Sequence, residues 1–208
     1  MVIVSSFKLV FNEFKKYFTV EAEEVLDCPL CMGELKYRDS VVRNLKNMVS
    51  DVTRYLIRRL LCQECKALHR EIPDIIQPYK QYESAVIQAV VDNSEGSLCC
   101  GAEKTTIRRW KAEFASAEAD INQRLSSVYA RMTENTVPIS ETENILNRVQ
   151  KNEERWLPFV MKLLINGGHK ICTQFAFCLP ERSDKLNSAI KINAEGDSKI
   201  DKTNTDTS

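Results

Sequence analysis

Cys28-Pro-Leu-Cys31 and Cys62-Gln-Glu-Cys65 are separated by 30 residues, and that interval reads as two strands joined by a hairpin. A Cys-x-x-Cys unit wraps a tight turn that points two sulfurs at one place. Two such turns brought to the same end of a hairpin supply four thiolates, the donor set of a closed tetrahedral zinc site. The interval exceeds the roughly 15 to 20 residues usual in compact fingers, which a longer hairpin accommodates. A thioredoxin-like dithiol needs one Cys-x-x-Cys in a βαβ context, and two copies around a hairpin do not fit it. The spacing therefore predicts one structural Zn2+ per chain on Cys28, Cys31, Cys62 and Cys65, with no open position for catalysis.

Working outward, Leu35 to Val42 and Thr53 to Leu61 alternate with period two, with Tyr55, Ile57, Arg59 and Leu61 on one face. Asn44 to Asp51 forms the hairpin tip, and Ala67 to Ile72 a third strand before Pro73 and Pro78 break the pattern. Residues 79–92 read as a helix carrying Tyr82, Val86, Ile87, Val90 and Val91 on one side. From Thr105 to Met132 there is no Gly or Pro, and Ile107, Trp110, Phe114, Ala117, Ile121, Leu125, Val128 and Met132 recur every three or four residues. Ser140-Glu-Thr-Glu143 is a capping box announcing a helix to about Lys151. Trp156 to Ile165 is apolar, interrupted at Pro158 and ended by Gly167-Gly168. Upstream, Phe11, Phe14, Phe18 and Val20 are spaced loosely like a helix.

The expected fold is α+β: a small four-cysteine zinc β-ribbon, then a mostly helical domain with a helix-turn-helix-like segment and a long amphipathic helix. The segments are a lead-in (1–27), the ribbon (28–78), the helix-turn-helix-like module (79–114), a helical region (115–180) and a polar tail read as disordered (181–208).

At 208 residues, 43% hydrophobic and 28% charged, the chain has material for one ordinary domain or two small ones. No apolar run approaches the ~20 residues needed to span a bilayer, and no membrane partner is expected. The opening Met1-Val-Ile-Val-Ser-Ser-Phe-Lys8 lacks a basic n-region and a small-residue cleavage site, which reads as an unprocessed cytoplasmic protein. Net charge is zero, against a generally basic nucleic-acid binder, yet Lys36 to Arg70 holds nine Lys/Arg against Asp39, Asp51 and Glu64. There is no nucleophile–base pair, P-loop or glycine-rich cofactor motif, so neither an enzyme nor a small-molecule substrate is expected.

Gly101-Ala-Glu-Lys-Thr-Thr-Ile-Arg-Arg-Trp110 has the form of a turn and recognition helix. Glycine takes the turn, Ile107 and Trp110 face inward, and Lys104, Thr105, Thr106, Arg108, Arg109 and Lys111 are left for DNA. The ribbon would add Arg54, Arg58 and Arg59. Against this, the middle helix must fit into Glu95 to Cys100, which contains Gly96, and Glu103 would repel a phosphate. Cys99, Cys100, Cys172 and Cys178 lack knuckle spacing and read as small buried hydrophobes. His69 reads as a surface or strand residue, because four cysteines already complete the site.

Cys28-Pro-Leu-Cys31, Gly33-Glu-Leu-Lys-Tyr-Arg-Asp-Ser40, Arg58-Arg-Leu-Leu-Cys-Gln-Glu-Cys65, Leu68-His69, Pro73, Pro78-Tyr-Lys-Gln-Tyr82 and Thr106-Ile-Arg-Arg-Trp110 follow in that order. They resemble a bacterial family of zinc-ribbon plus helix-turn-helix proteins, itself similar to the N-terminal DNA-binding part of insertion-sequence transposases. The resemblance covers about residues 28–114, with a weaker match at Trp156-Leu-Pro-Phe159 and Phe175-Ala-Phe177. It implies zinc on the four cysteines and DNA contact from the Thr105 to Lys111 helix, in an accessory or regulatory factor of a mobile element. The rival expectation is an interaction protein that docks through the ribbon and forms homo-oligomers through the 107–132 helix.

Overall fold

The computed structural model describes residues 1–94, 100–132 and 144–169. Among them are six strands and four helices: β1 Val2–Val4, β2 Phe7–Asn12, β3 Tyr17–Ala22, β4 Leu35–Lys46, β5 Val52–Cys62, β6 Leu68–Pro73, α1 Ser84–Val91, α2 Lys104–Met132, α3 Ile145–Asn152 and α4 Trp156–Asn166. The α+β class expected from the sequence is the one observed. None of these helices is long and apolar enough to cross a membrane.

The β4–β5 hairpin is the centre of one curled sheet. β5 pairs with β4 along its whole length, from Leu35↔Cys62 to Lys46↔Val52, and a bulge between Tyr37 and Asp39 breaks the register. Its other edge is divided. The first half pairs in parallel with β3 through Phe18↔Tyr55, and the second half antiparallel with β6 through Leu60↔His69. β2 extends the sheet beyond β3, and β1 lies parallel to β6.

The buried side chains of β5 change face along the strand. Tyr55 and Ile57 are buried on one side, then Leu60 and Cys62 on the other, with Arg58 and Arg59 at the crossing. The first pair joins the main core with Leu45, Ile72, Tyr82 and the helices, while Leu60 and Cys62 lie outside that cluster. One half of the hairpin is thus backed by helices and the other half carries the sulfurs.

The lead-in is not helical. Residues 7–22 form the β2–β3 hairpin, with the pairs Phe11↔Phe18 and Leu9↔Val20. Its turn is closed by Lys16 N–H on the Asn12 carbonyl (2.8 Å) and Lys15 N–H on Asn12 Oδ1 (3.0 Å), with Lys16 left-handed at φ 52°. Cross-strand pairing of the aromatics, with rings 5.0 Å apart, overrides spacing that mimics a helix.

The helix expected over 79–92 starts later, at Ser84. The preceding residues pair with the hairpin instead: Lys46 N–H donates to the Gln81 carbonyl (2.7 Å) and Glu83 N–H to the Lys46 carbonyl (3.0 Å). Pro158 does not interrupt α4, because it is the third residue of the helix, where its missing N–H has no intrahelical partner to lose. The capping box Ser140 to Glu143 lies outside the described residues, and the observed cap of α3 is Asn144, whose side chain accepts from Asn147 N–H at 3.0 Å.

α2 behaves as its stripe predicts. Trp110, Ile121, Leu125 and Val128 are buried, within a core shared with α1, α3 and α4. Trp110 meets Tyr82 edge-on at 5.0 Å, and Phe114 meets Trp156 at 5.2 Å. The stripe is therefore spent inside the chain, and at its end only Met132 remains largely exposed. Beneath it, Lys80 pairs with Glu113 at side-chain exposures of 13% and 11%. Removing one partner of a buried pair costs more than the pair contributes. Glu113→Ala is expected to lower unfolding free energy by about 3–5 kcal/mol in a denaturant titration; a loss below about 1 kcal/mol would show that water already screens the pair.

Candidate metal centre

The two knuckles are built alike. Cys28 N–H donates to the Gly33 carbonyl (2.9 Å), and Cys62 N–H to the Ala67 carbonyl (3.0 Å). The residue after each second cysteine turns left-handed, Met32 at φ 60° and Lys66 at φ 59°. Gln63 N–H to the Glu34 carbonyl (2.9 Å) ties one knuckle to the other. Gly33 sits in this join, where a Cβ would come within 2.5 Å of the Glu64 side chain and 3.2 Å of Cys62 Sγ.

All four sulfurs lie within 4.8 Å of one another. Cys28 Sγ is 3.7 Å from Cys65 Sγ, and Cys31 Sγ is 3.5 Å from Cys62 Sγ. A tetrahedral ion bonded to sulfur at about 2.3 Å has S···S edges of roughly 3.8 Å, so the set fits a four-coordinate cation, and the four thiols are free rather than paired as disulfides. Cys28 and Cys62 are buried, and Cys31 and Cys65 face outward. An all-thiolate set of this shape suits zinc or iron rather than Ca2+ or Mg2+.

Crowding splits the thiols. Burial pushes the Cys62 thiol up, but backbone N–H groups of Cys65 and Glu64 and the neighbouring sulfurs outweigh it and bring Cys62 down to about 7. At Cys65 the Ala67 N–H favours the thiolate, but burial and the sulfurs of Cys31, Cys62 and Cys28 push it up to about 12. Four thiolates this close need a cation among them.

His69 is the residue the sequence reading undervalued. It is on β6 as a strand residue, but it is 3% exposed rather than at the surface, and its Nε2 lies 3.4 Å from Cys28 Sγ. The Met1 nitrogen, a donor, is 2.7 Å from Nδ1, so Nε2 carries the proton and donates to the sulfur. Burial holds the imidazole below its usual range. The pairing Leu60↔His69 places His69 on the same face as Cys62, and no local sequence pattern announces that pairing.

The arginines of the ribbon are engaged. Arg58 donates from Nε and Nη2 to both Glu71 oxygens (2.6 and 2.8 Å), and Arg59 binds both Asp39 oxygens. Arg54 donates from Nη1 to the Lys15 carbonyl at 3.3 Å. The basic patch expected on this hairpin is thereby reduced to fewer available charges.

At the start of α2, Lys104, Thr105, Arg108 and Arg109 are exposed, while Thr106 and Lys111 are half-buried and Trp110 is buried. The first turn contains no acidic residue. Lys111 donates to Asn93 Oδ1, and Arg109 Nε is 3.8 Å from Glu113. Gly101 does not take a left-handed turn. It is needed for close approach, because a Cβ there would fall 2.5 Å from Ser50 Oγ at the hairpin tip. Glu95 to Ser97 and Cys99, where the middle helix was expected, lie outside the described residues, as do Cys172 and Cys178. Cys100 is half-buried against the core.

Fold and site together define an α+β protein whose curled sheet carries a four-cysteine candidate metal centre. Residues 28–110 match the family described as a domain of unknown function, DUF6431, a stretch that opens on Cys28 and closes on Trp110. No curated protein and no solved structure matches the chain.

Two outcomes are expected. Adding Zn2+ to metal-free protein at pH 8 in weak buffer should release protons, because Cys65 keeps its proton until a cation displaces it; an unchanged pH would contradict four-thiolate binding. Met32→Gly and Lys66→Gly should each stabilise the protein by up to about 1 kcal/mol, since a non-glycine residue is strained in the left-handed region. Thermal melts would show it, and a lowered midpoint would mean that the side chains themselves contribute.

Proposed function

We propose that this chain is a DNA-binding protein of the cytoplasm that uses zinc as a structural staple, acting as an accessory or regulatory factor of a transposable element rather than as an enzyme. Zinc is taken over iron because this reading asks nothing redox of the metal, and a reducing compartment preserves the thiolates. In this reading the metal stabilises and takes no part in chemistry.

One observation carries the DNA reading: Lys104, Arg108 and Arg109 are exposed together at the start of α2, beside Thr105, whose hydroxyl donates to the preceding Glu103 at 3.3 Å. With Glu103 occupying the helix N-terminus, contact with phosphate falls to the basic side chains, and arginine suits guanine edges. Trp110, clamped against Tyr82, holds this end of α2 to the segment after the ribbon. Thr106 and Lys111 flank the contact, while Arg54, Arg58 and Arg59 serve chiefly to brace the hairpin. The order of modules, ribbon then Pro78-Tyr-Lys-Gln-Tyr82 then basic helix, supports the link to mobile elements through the resemblance stated above. The competing reading, an oligomer joined through residues 107–132, is weakened by the burial of that stripe within the chain.

Binding to duplex DNA should be measured across a salt series by fluorescence anisotropy. Each phosphate contact contributes about 0.9 to the slope of log K against log salt, so Arg108→Ala with Arg109→Ala should flatten the slope by up to about two. No binding near 50 mM salt, or a double variant that binds like the parent, would reject the proposal.

A further inference from the structure

A second basic feature of the molecule is left over once the arginines of the hairpin are accounted for. On the helix-backed side of the sheet, Val41 and Arg43 of β4, Ile57 of β5, Arg70 of β6 and the Tyr79–Gln81 segment line a cleft of about 490 Å³. A cleft of this size is within the range of small-molecule sites. Lys46 adds a further cation to Lys80 of that segment, and the lining contains no carboxylate. Asp39, on the same hairpin, is held by Arg59, and Glu113 is held by Lys80. Lys80 is thereby neutralised, whereas Arg43, Arg70 and Lys46, the last over the Tyr82 ring at 5.4 Å, meet no carboxylate in the lining.

Arg43 is oriented for a ligand. Its Nη2 donates to the carbonyls of Lys80 (2.6 Å) and Gln77 (3.3 Å), which fixes the guanidinium plane and leaves Nε and Nη1 without a partner among the described residues. Burial, and then the charge of Arg70, lower its pKa, so the two cations sense each other across the cleft. Guanidinium groups bind phosphate through paired N–H donors. At the rim, Tyr79 adopts φ 61° and is 57% exposed. A bulky residue held in the left-handed region and turned to solvent is strained, and such strain concentrates at functional positions. Its neighbours maintain it: Lys80 N–H donates to the Gln77 carbonyl (3.2 Å), and Arg43 grips the Lys80 carbonyl. An exposed ring beside a cationic groove is how proteins stack an unpaired base.

We propose that this cleft binds a nucleotide unit, its phosphate against Arg43, Arg70 and Lys46 and its base stacked on Tyr79. The unit is either a free nucleotide or one residue of a single strand; the chemistry is the same. The site is separate from the start of α2 and does not depend on duplex binding there.

The test uses the full chain with zinc and two probes, a labelled oligothymidine and AMP, at about 50 mM salt. Arg70→Gln and Tyr79→Ala should each weaken strand binding roughly tenfold, and Tyr79→Phe should not. Displacement of the strand by AMP at comparable concentration assigns the cleft to single nucleotides. Strand binding that resists AMP yet falls in both variants assigns it to a polynucleotide. Neither probe binding, or both variants binding as the parent does while circular dichroism shows them folded, overturns the proposal. Arg108→Ala with Arg109→Ala should leave this binding unchanged, so failure here is distinguishable from failure of the duplex reading.

Discussion

β5 has more claimants than a strand has edges, and the molecule is organised by how they share it. One edge is zipped to β4 throughout, and the other is split between β3 and β6. Because successive side chains alternate faces, a strand that must bury opposite faces in its two halves has to pass through a point where neither is apolar. Arg58 and Arg59 occupy that point. Being consecutive, they leave on opposite faces, and each meets a carboxylate from a different neighbouring strand, Glu71 of β6 and Asp39 of β4. The bulge before Asp39 falls at the same level. The crossing thus separates a helix-backed half, with the main core, from a half in which the clustered cysteines of the candidate metal centre take the place of a core.

The division explains which parts of the architecture could be read from residues alone. Cysteine spacing located the candidate metal centre, and the β4–β5 alternation located the hairpin, because both signals are local. The α2 stripe was legible for the same reason. The N-terminal strands were not, since Phe11, Phe14 and Phe18 fall three and four apart, whereas Phe11 and Phe18 pair across the strands and Phe14 lies in the exposed turn between them. Turns were hidden for a different reason. Among the described residues, six that are not glycine take positive φ, Lys16, Met32, Ser50, Lys66, Tyr79 and Asn93, so the usual turn marker is missing where the chain reverses. Gly101, which looked like a turn marker, is there for lack of space.

Charge shows the same contrast between composition and placement. The excess of basic residues between Lys36 and Arg70 is a property of the sequence, but its use depends on neighbours. Arg58 and Arg59 are bound by carboxylates, Arg43 is bound by carbonyls that orient it without neutralising it, and Arg70 remains exposed. No count of lysines and arginines distinguishes these cases, because the partners come from strands and loops far along the chain. His69 was undervalued on similar grounds: its closeness to Cys28 depends on the pairing of β5 with β6.

The sheet's outermost strand on one side is β1, three residues long and parallel to β6. Its free edge is answered by one side chain: Asn166, the last residue of α4, accepts from Ile3 N–H and donates to the Ile3 carbonyl, both at 2.9 Å. An amide can reproduce both halves of a strand's pairing because it holds a donor and an acceptor at the spacing of a peptide. The edge is closed to further strands without a further strand being spent on it. Unpaired sheet edges are templates for self-association, and at β1 that template is masked by a residue that contributes nothing to the candidate metal centre or to the basic surfaces.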